Sequence, residues 1–123
     1  MNKSPLDRFG ELLMTRLRDR AIEHQELIAR GHYRAPGLKE LQALVGAQSP
    51  DVQALILRCV TESVDSAIHD FLFTIQEHHD HDGSVDVLIG GQSVADASDG
   101  LHGEPYGDGG WQARFSRYPR YET

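Results

Sequence analysis

The chain has little cysteine, little lysine and no long apolar run. Cys59 is the single cysteine, so no disulfide can form within the chain and no oxidising compartment is indicated. No segment approaches the roughly 18 continuous apolar residues that a membrane-spanning helix needs. The first residues, MNKSPLDRFGE, become acidic too early for a signal peptide. These features predict a cytoplasmic protein with no membrane partner.

The charge balance is acidic, with 12 Lys and Arg against 19 Asp and Glu and a formal net charge of −7. Cations that neutralise phosphates supply most of the affinity in sequence-independent DNA binding, so this balance argues against a nucleic-acid partner. It suits a basic protein partner through complementary potential.

Glycine is sparse before residue 83, where four of the twelve glycines lie, and frequent after it. The change predicts a helical part at about 4–80, a sheet and Gly-rich loop part at about 84–118, and a short tail to 123. A chain of 123 residues can bury one core. We therefore expect a single α+β domain over 1–123.

Three N-terminal helices are predicted, with the third the longest. The first begins at the N-cap Ser4 and ends at Gly31. Its apolar stripe follows 3–4 spacing: Leu6, Phe9, Leu13, Leu17, Ala21, His24 and Ile28. A short helix covers roughly Leu38–Val45.

The third helix runs from about Pro50 to Glu77, after the N-cap Ser49. The residues expected on its buried face are Ile56, Val60, Val64, Ala67, Phe71 and Ile75.

A small antiparallel sheet of about three strands is expected after the helices. SVDVLIGGQSV is typical of a hairpin, with Gly90–Gly91 as its two-residue turn. WQARFS also alternates apolar and polar residues, which predicts a third strand. The apolar face of this sheet is expected to pack on the helices.

Two groups of helix-borne residues are candidate metal ligands, because imidazole and carboxylate both bind zinc well. EHHDHDG places His78 and His81 at i, i+3, while Glu62, Asp65 and His69 follow at i, i+3 and i+7. The trio could also hold a general base. The structural alternatives are a helix C-terminus stabilised by histidine and an ordinary solvated helix face. We favour both structural alternatives and expect no cofactor.

The Gly-rich stretch SDGLHGEPYGDGGW is a candidate binding loop, because glycine lets a backbone approach a ligand closely. Its candidate residues are Asp99, His102, Glu104, Tyr106 and Trp111. The spacing of its carboxylates does not match an EF-hand, and no Walker-type lysine follows. A tightly wound loop packed on the sheet is the interpretation we favour.

The C-terminal ARFSRYPRYET alternates arginines with aromatic residues at a period of three. Interleaved cations and rings suit single-stranded nucleic acid or an acidic protein surface, which makes Arg114 and Arg117 candidate binding residues. The alternative, which we favour, pairs these arginines with the domain's own carboxylates. The full set is Arg114, Arg117 and Arg120 with Phe115, Tyr118 and Tyr121.

The segment SDGLHGEPYGDGGWQARFSRY, Ser98–Tyr118, resembles a segment of a family of small uncharacterised bacterial proteins in which helices precede a short sheet. IHDFLFTIQE, Ile68–Glu77, is similar to the helix before it. The resemblance implies a bacterial origin and no established activity, cofactor or catalytic residue. Some such small acidic proteins look like immunity or accessory factors encoded beside toxins.

The leading hypothesis is a non-catalytic cytoplasmic protein that recognises a protein partner or associates with itself. Leu12 and Leu88 lie off the main apolar faces and could bury at an interface. The first alternative is a small metal-dependent enzyme that uses the helix-borne histidines and carboxylates. The second is a small-ligand or nucleic-acid binder that uses the Gly-rich loop and the Arg/aromatic tail.

Overall fold

The computed structural model describes residues 3–120. It is rich in helix, with a small antiparallel sheet on the C-terminal side, which confirms the predicted α+β class. In chain order the elements are α1 (Pro5–Leu12), a π-helical segment (Leu13–Arg18), α2 (Asp19–Ala29), α3 (Pro36–Gly46), α4 (Pro50–His81), β1 (Leu88–Ile89), β2 (Gln92–Ser93), a 3-10 turn (Leu101–Gly103) and α5 (Trp111–Phe115).

Two helices begin at serine caps, as predicted. The Ser4 hydroxyl accepts the backbone N–H of Asp7 at 3.1 Å, and the Ser49 hydroxyl accepts that of Val52 at 3.2 Å. A proline follows each cap, where its missing N–H has no helical partner to lose. Local chemistry therefore sets the starts of α1 and α4.

The first helical run is unbroken from α1 through the π segment to α2, but its buried side rotates. A π segment inserts extra backbone into the helix, so later residues are displaced around the axis. Phe9 is buried before it, Leu13 and Arg18 at its two ends, and Ile22 after it. The predicted stripe is wrong at Leu17, which is 46% exposed, because regular α spacing was assumed throughout.

His24 also departs from the predicted stripe, because its side chain is exposed. Its Nδ1 lies 2.7 Å from the hydroxyl of Tyr33, in the connection to α3. The same displacement that exposes Leu17 carries His24 away from the core.

The buried face of α4 differs from the predicted one. Ala67 is exposed and Phe71 is 48% exposed. Polar residues occupy part of the buried face and find partners there: the Thr61 hydroxyl donates to the carbonyl of Leu57 at 2.9 Å, for example. A hydrophobicity pattern cannot detect such positions. The buried residues are Thr61, Asp65, Ile68, Leu72, Ile75 and Gln76.

The sheet is a single hairpin in which Leu88 pairs with Ser93 and Ile89 with Gln92. Gly90 and Gly91 adopt φ of 59° and 82°, which confirms the predicted glycine turn. The predicted third strand is not formed, because Trp111–Phe115 is a helix. Residues four apart share one face of a helix, so Trp111 and Phe115 can both pack on the core in that conformation.

One core joins the helices to the C-terminal part. Trp111 is fully buried and meets Phe9 edge to face, with ring centroids 6.0 Å apart. Its indole lies so close to Gly10 that an added Cβ would come within 2.3 Å of the ring. The core residues are Phe9, Leu13, Met14, Ile68, Leu72, Ile75, Val94, Ala95, Leu101 and Trp111.

Candidate functional site

Arg18, the last residue of the π segment, is fully buried at the centre of a polar network. Its Nε donates to Asp65 at 2.6 Å and one Nη donates to the second carboxylate oxygen at 3.3 Å. The other Nη donates to the Ser116 hydroxyl at 2.8 Å and to the carbonyl of Tyr118 at 2.6 Å. The Gln112 amide also donates to Asp65, at 3.2 Å. All of these contacts are within the chain.

Residues 114–120, which we call the C-terminal strap, lie along the first helical run. Arg114 forms an ion pair with Asp7 at 2.9 Å, and the backbone N–H of Arg117 donates to Asp19 at 3.1 Å. The Arg117 guanidinium pairs with Glu23. The two candidate binding arginines of the tail therefore contact carboxylates of the same chain.

Tyr118 and Arg120 complete the strap. The Tyr118 hydroxyl donates to Glu26, and burial together with that carboxylate raises the pKa of Tyr118 to about 12. The Arg120 guanidinium lies 4.8 Å from the ring centroid of Tyr106. Tyr121, the last aromatic residue of the predicted alternation, lies outside the described residues.

The trio predicted on α4 is divided between two environments. Asp65 is buried against Arg18, so its placement on a solvated face is wrong, whereas Glu62 is exposed. His69 lies on the surface, with Nδ1 3.4 Å from Asp70. Asp65 is buried because it pairs with Arg18, which lies 47 positions away in the sequence. The spacing of residues along one helix cannot reveal a contact with so distant a residue.

The histidines of EHHDHDG lie in the last turns of α4, which continues to His81. His78 and His81 are exposed. His79 lies between two carboxylates: Nδ1 lies 3.1 Å from Asp80 and Nε2 lies 2.9 Å from Asp96. Within residues 3–120, no group of three or more His, Cys, Asp or Glu side chains is arranged to hold a metal ion.

His69 instead meets part of the Gly-rich loop, in a group of rings on the flank of α4. The centroid of the His102 ring lies 5.6 Å from that of His69 and 5.2 Å from that of Phe73, edge-on to both. The Tyr106 ring is 6.5 Å from His69, and its pKa is raised by burial and by nearby Asp65. The Nδ1 of His102 is buried and has no hydrogen-bond partner within residues 3–120.

The remaining loop candidates do not join that group of rings. Asp99 is exposed, and Glu104 accepts the Ser98 hydroxyl at 3.1 Å within the loop. Trp111 belongs to the core. The loop candidates therefore do not converge on one shared site.

Exposed apolar side chains that the sequence patterns did not single out lie on α3 and on the first half of α4. We call this set the α3/α4 face. Its members are Leu41, Leu44, Val52 and Leu55, between 38% and 59% exposed, and the exposed Cys59. Val52, Leu55 and Cys59 follow at i, i+3 and i+7, the spacing of a helix–helix seam and the one sequence signal for this face.

The α3/α4 face lies beside the main core rather than over it. α4 has 32 residues and is about 48 Å long. It contributes to the core and its border only from Val64 onward. The first half of α4 faces α2 across a groove lined by Ala29 and Leu57, among others, and its other side, with Val52 and Leu55, is exposed. The three-residue turn 47–49 joins α3 to α4, so Leu44 and Val52 lie close to this connection on either side.

Leu12 and Leu88 are exposed, at 51% and 59%. From the sequence, we expected both leucines to lie off the main apolar faces of their elements. They belong to α1 and β1, which contact each other, and not to the α3/α4 face.

Within residues 3–120, no helix is long and apolar enough to cross a membrane. No protein-family model, curated protein or solved structure matches the chain. The resemblance of Ser98–Tyr118 to small bacterial proteins stays a prediction.

Proposed function

We propose that this chain is a non-catalytic cytoplasmic interaction protein that binds a protein partner through the α3/α4 face. The observation that carries the proposal is the exposure of Leu44 and Leu55, at 57% and 59%, on adjoining helices. Apolar side chains grouped on one face mark interaction sites more often than scattered ones do. An immunity-like or accessory role is one form that such a function would take.

The energetics favour covering this face. Fully burying one leucine or valine side chain is worth roughly 1.5–3 kcal/mol, and about half of that remains to be gained where half of the side chain is exposed. Val52 and Leu55, three residues apart on α4, would bury together under a helix laid along them, and Leu41 and Leu44 have the same spacing on α3. The i, i+3, i+7 spacing on α4 suits knobs-into-holes packing with such a helix.

The polar candidates support a non-catalytic function because their partners lie within the chain. Asp65 forms an ion pair with Arg18. In the strap, Arg114 pairs with Asp7 and Arg117 pairs with Glu23. A metal-dependent enzyme or a nucleic-acid binder would need several of these groups to face a ligand. No observation among the described residues favours either alternative over an interaction protein.

The test is site-specific photo-crosslinking in cells that produce the protein. A benzophenone amino acid replaces Leu55 in one variant and Leu88 in the other. Leu88 is the matched control, because it is also a leucine with 59% exposure but lies on the hairpin. Irradiation is expected to give a discrete protein adduct from position 55 and none from position 88.

The identity of the partner does not decide this test, because an adduct with any one protein supports an interaction surface at position 55. No adduct from position 55, or equal adducts from both positions, contradicts the proposed face. Retention of the far-ultraviolet circular dichroism spectrum shows that each substituted chain is folded.

A further inference from the structure

A pocket of about 660 Å³ lies between α3 and the connection that follows α2. Its lining includes His32, Arg34 and Lys39, and no acidic residue within residues 3–120 lines it. We infer that this pocket binds a phosphate group carried by a small molecule. The site goes beyond the proposed function and is separate from the α3/α4 face: at about 100° per residue, Leu41 and Leu44 lie on the other side of α3 from Lys39.

Arg34 and Lys39 are the cations that would meet the phosphate. Both residues are exposed, and neither side chain forms an ion pair or a hydrogen bond within the described part of the chain. The strap arginines Arg114 and Arg117, by contrast, are paired with carboxylates. A guanidinium offers paired N–H donors that match phosphate oxygens, and an ammonium adds a point charge. These two cations are therefore available to a ligand.

The acidic residues nearest in the sequence, Glu26 and Glu40, do not line the pocket. Glu26 accepts the hydroxyl of Tyr118 in the strap. Glu40 follows Lys39 on α3, and successive side chains of a helix project about 100° apart, so Glu40 points away from Lys39. The pocket lining is therefore positive in a chain whose net charge is −7.

A buried glutamine holds the connection in place beside α3. Gln42 is 8% exposed; its Oε1 accepts the backbone N–H of Tyr33 at 2.7 Å, and its Nε2 donates to the carbonyl of Tyr33 at 2.8 Å. One residue earlier, the backbone N–H of His32 donates to the carbonyl of Leu27 at 3.0 Å. The backbone before Arg34 is thus fixed by hydrogen bonds, which lowers the ordering cost of binding a ligand.

The size of the pocket favours a small phosphorylated molecule. Pockets for small molecules have volumes of roughly 300–1,000 Å³, and this one lies within that range. The rings of His32 and Tyr33 meet edge to face, with centroids 5.3 Å apart, and offer surface to the rest of the molecule. A nucleic-acid strand would need a longer row of cations than Arg34 and Lys39 provide.

The test is isothermal titration calorimetry of the full chain in phosphate-free buffer, with pyrophosphate, adenosine monophosphate and adenosine as probes. At least one of the two phosphates is expected to bind with one-to-one stoichiometry, and adenosine is not. Tighter binding of adenosine monophosphate supports a ligand with a ring, and tighter binding of pyrophosphate supports a free polyphosphate. No binding of either phosphate at millimolar concentration overturns the inference, as does adenosine that binds as tightly as its monophosphate.

Charge-removing variants assign the binding to this pocket. Arg34→Gln and Lys39→Gln should each weaken binding about tenfold, because each removes a charge-assisted hydrogen bond. Arg20→Gln is the matched control, because Arg20 is an exposed arginine of α2 that does not line the pocket. Equal weakening in all three variants would show general attraction to positive charge and overturn the site.

All three substituted positions are exposed, so folding is expected to be retained and is checked by circular dichroism. Photo-crosslinking from position 55 does not involve this pocket. The phosphate site and the proposed function can therefore each fail without the other.

Discussion

The folding stability of the protein depends more on some side chains than on others, and the buried Arg18 is one on which it depends strongly. Its guanidinium is fully buried, so its charge must be balanced inside the protein. Asp65 supplies that balance, and Ser116 and the Tyr118 carbonyl accept its other N–H groups. The pair therefore fixes the strap against α4 as well as neutralising a buried charge.

Removing Asp65 should destabilise the protein far more than removing an exposed carboxylate. Asp65→Ala leaves Arg18 buried without its counter-ion and is expected to cost about 3–5 kcal/mol of unfolding free energy. Asp7→Ala breaks the partly exposed pair with Arg114, whose guanidinium holds the pKa of Asp7 below its usual range, and should cost about 0–1 kcal/mol. Urea denaturation measures both values. Equal losses would contradict the central role of the Arg18–Asp65 pair.

At the scale of elements, the C-terminus of α4 is tied to the loop after the hairpin by one imidazole. His79 lies between Asp80 of its own helix and Asp96 of the loop. The hydrogen bond to Asp80, and the negative charges of Asp96 and Asp86, raise the pKa of His79 above its ordinary value of 6.5. The charged imidazole therefore holds the loop more tightly than the neutral one does.

This contact predicts a pH-dependent contribution to stability. Because the folded-state pKa of His79 is raised, its stabilisation is complete below the ordinary value of 6.5 and is lost as the pH rises through the raised value. His79→Gln should lower Tm below pH 6.5 and have less effect in alkaline solution. His81→Gln, at an exposed position on the same turn, is the matched control for the loss of a histidine from this end of α4.

An equal loss of Tm at all pH values for His79→Gln would show that the side chain acts by packing alone. Titration of the His79 ring protons by NMR provides an independent measurement, with an expected midpoint above 6.5.

At the scale of the whole molecule, the net charge of −7 acts on any partner over a distance set by the ionic strength, whereas the apolar side chains of the α3/α4 face act only on contact. The affinity of a complex on this face therefore has an apolar part and a charge part, and salt can separate the two.

A complex held by the α3/α4 face should persist as sodium chloride is raised, because salt screens charges and leaves apolar contacts in place. Photo-crosslinking from position 55 in a lysate of the producing cells, at low and high salt, measures the change as adduct yield. A complex held by ion pairs to the acidic residues would weaken under the same conditions. Loss of the adduct at high salt would therefore show that ion pairs, and not the α3/α4 face, hold the partner.

Some elements of the fold could be predicted from the local sequence, and others could not. The caps Ser4 and Ser49 and the turn at Gly90–Gly91 were predicted because each depends on only a few neighbouring residues. The strand predicted over Trp111–Ser116 did not form, because alternation of apolar residues over six positions does not distinguish a strand from a short turn of buried helix. Among candidate site residues, His69, His102 and Tyr106 were each singled out, but their meeting depends on how the loop packs against α4.

The sequence by itself determined the α+β class, the serine starts of α1 and α4, the hairpin turn and the acidic balance of the surface. Each of these depends on residue type or on contacts within a few positions. Only the tertiary structure decided that Arg18 and Asp65 are buried together, that the strap arginines face their own chain, and that Leu44 and Leu55 stay exposed. Those outcomes depend on contacts between distant residues and on the register shift of the π segment, which spacing along one helix does not encode.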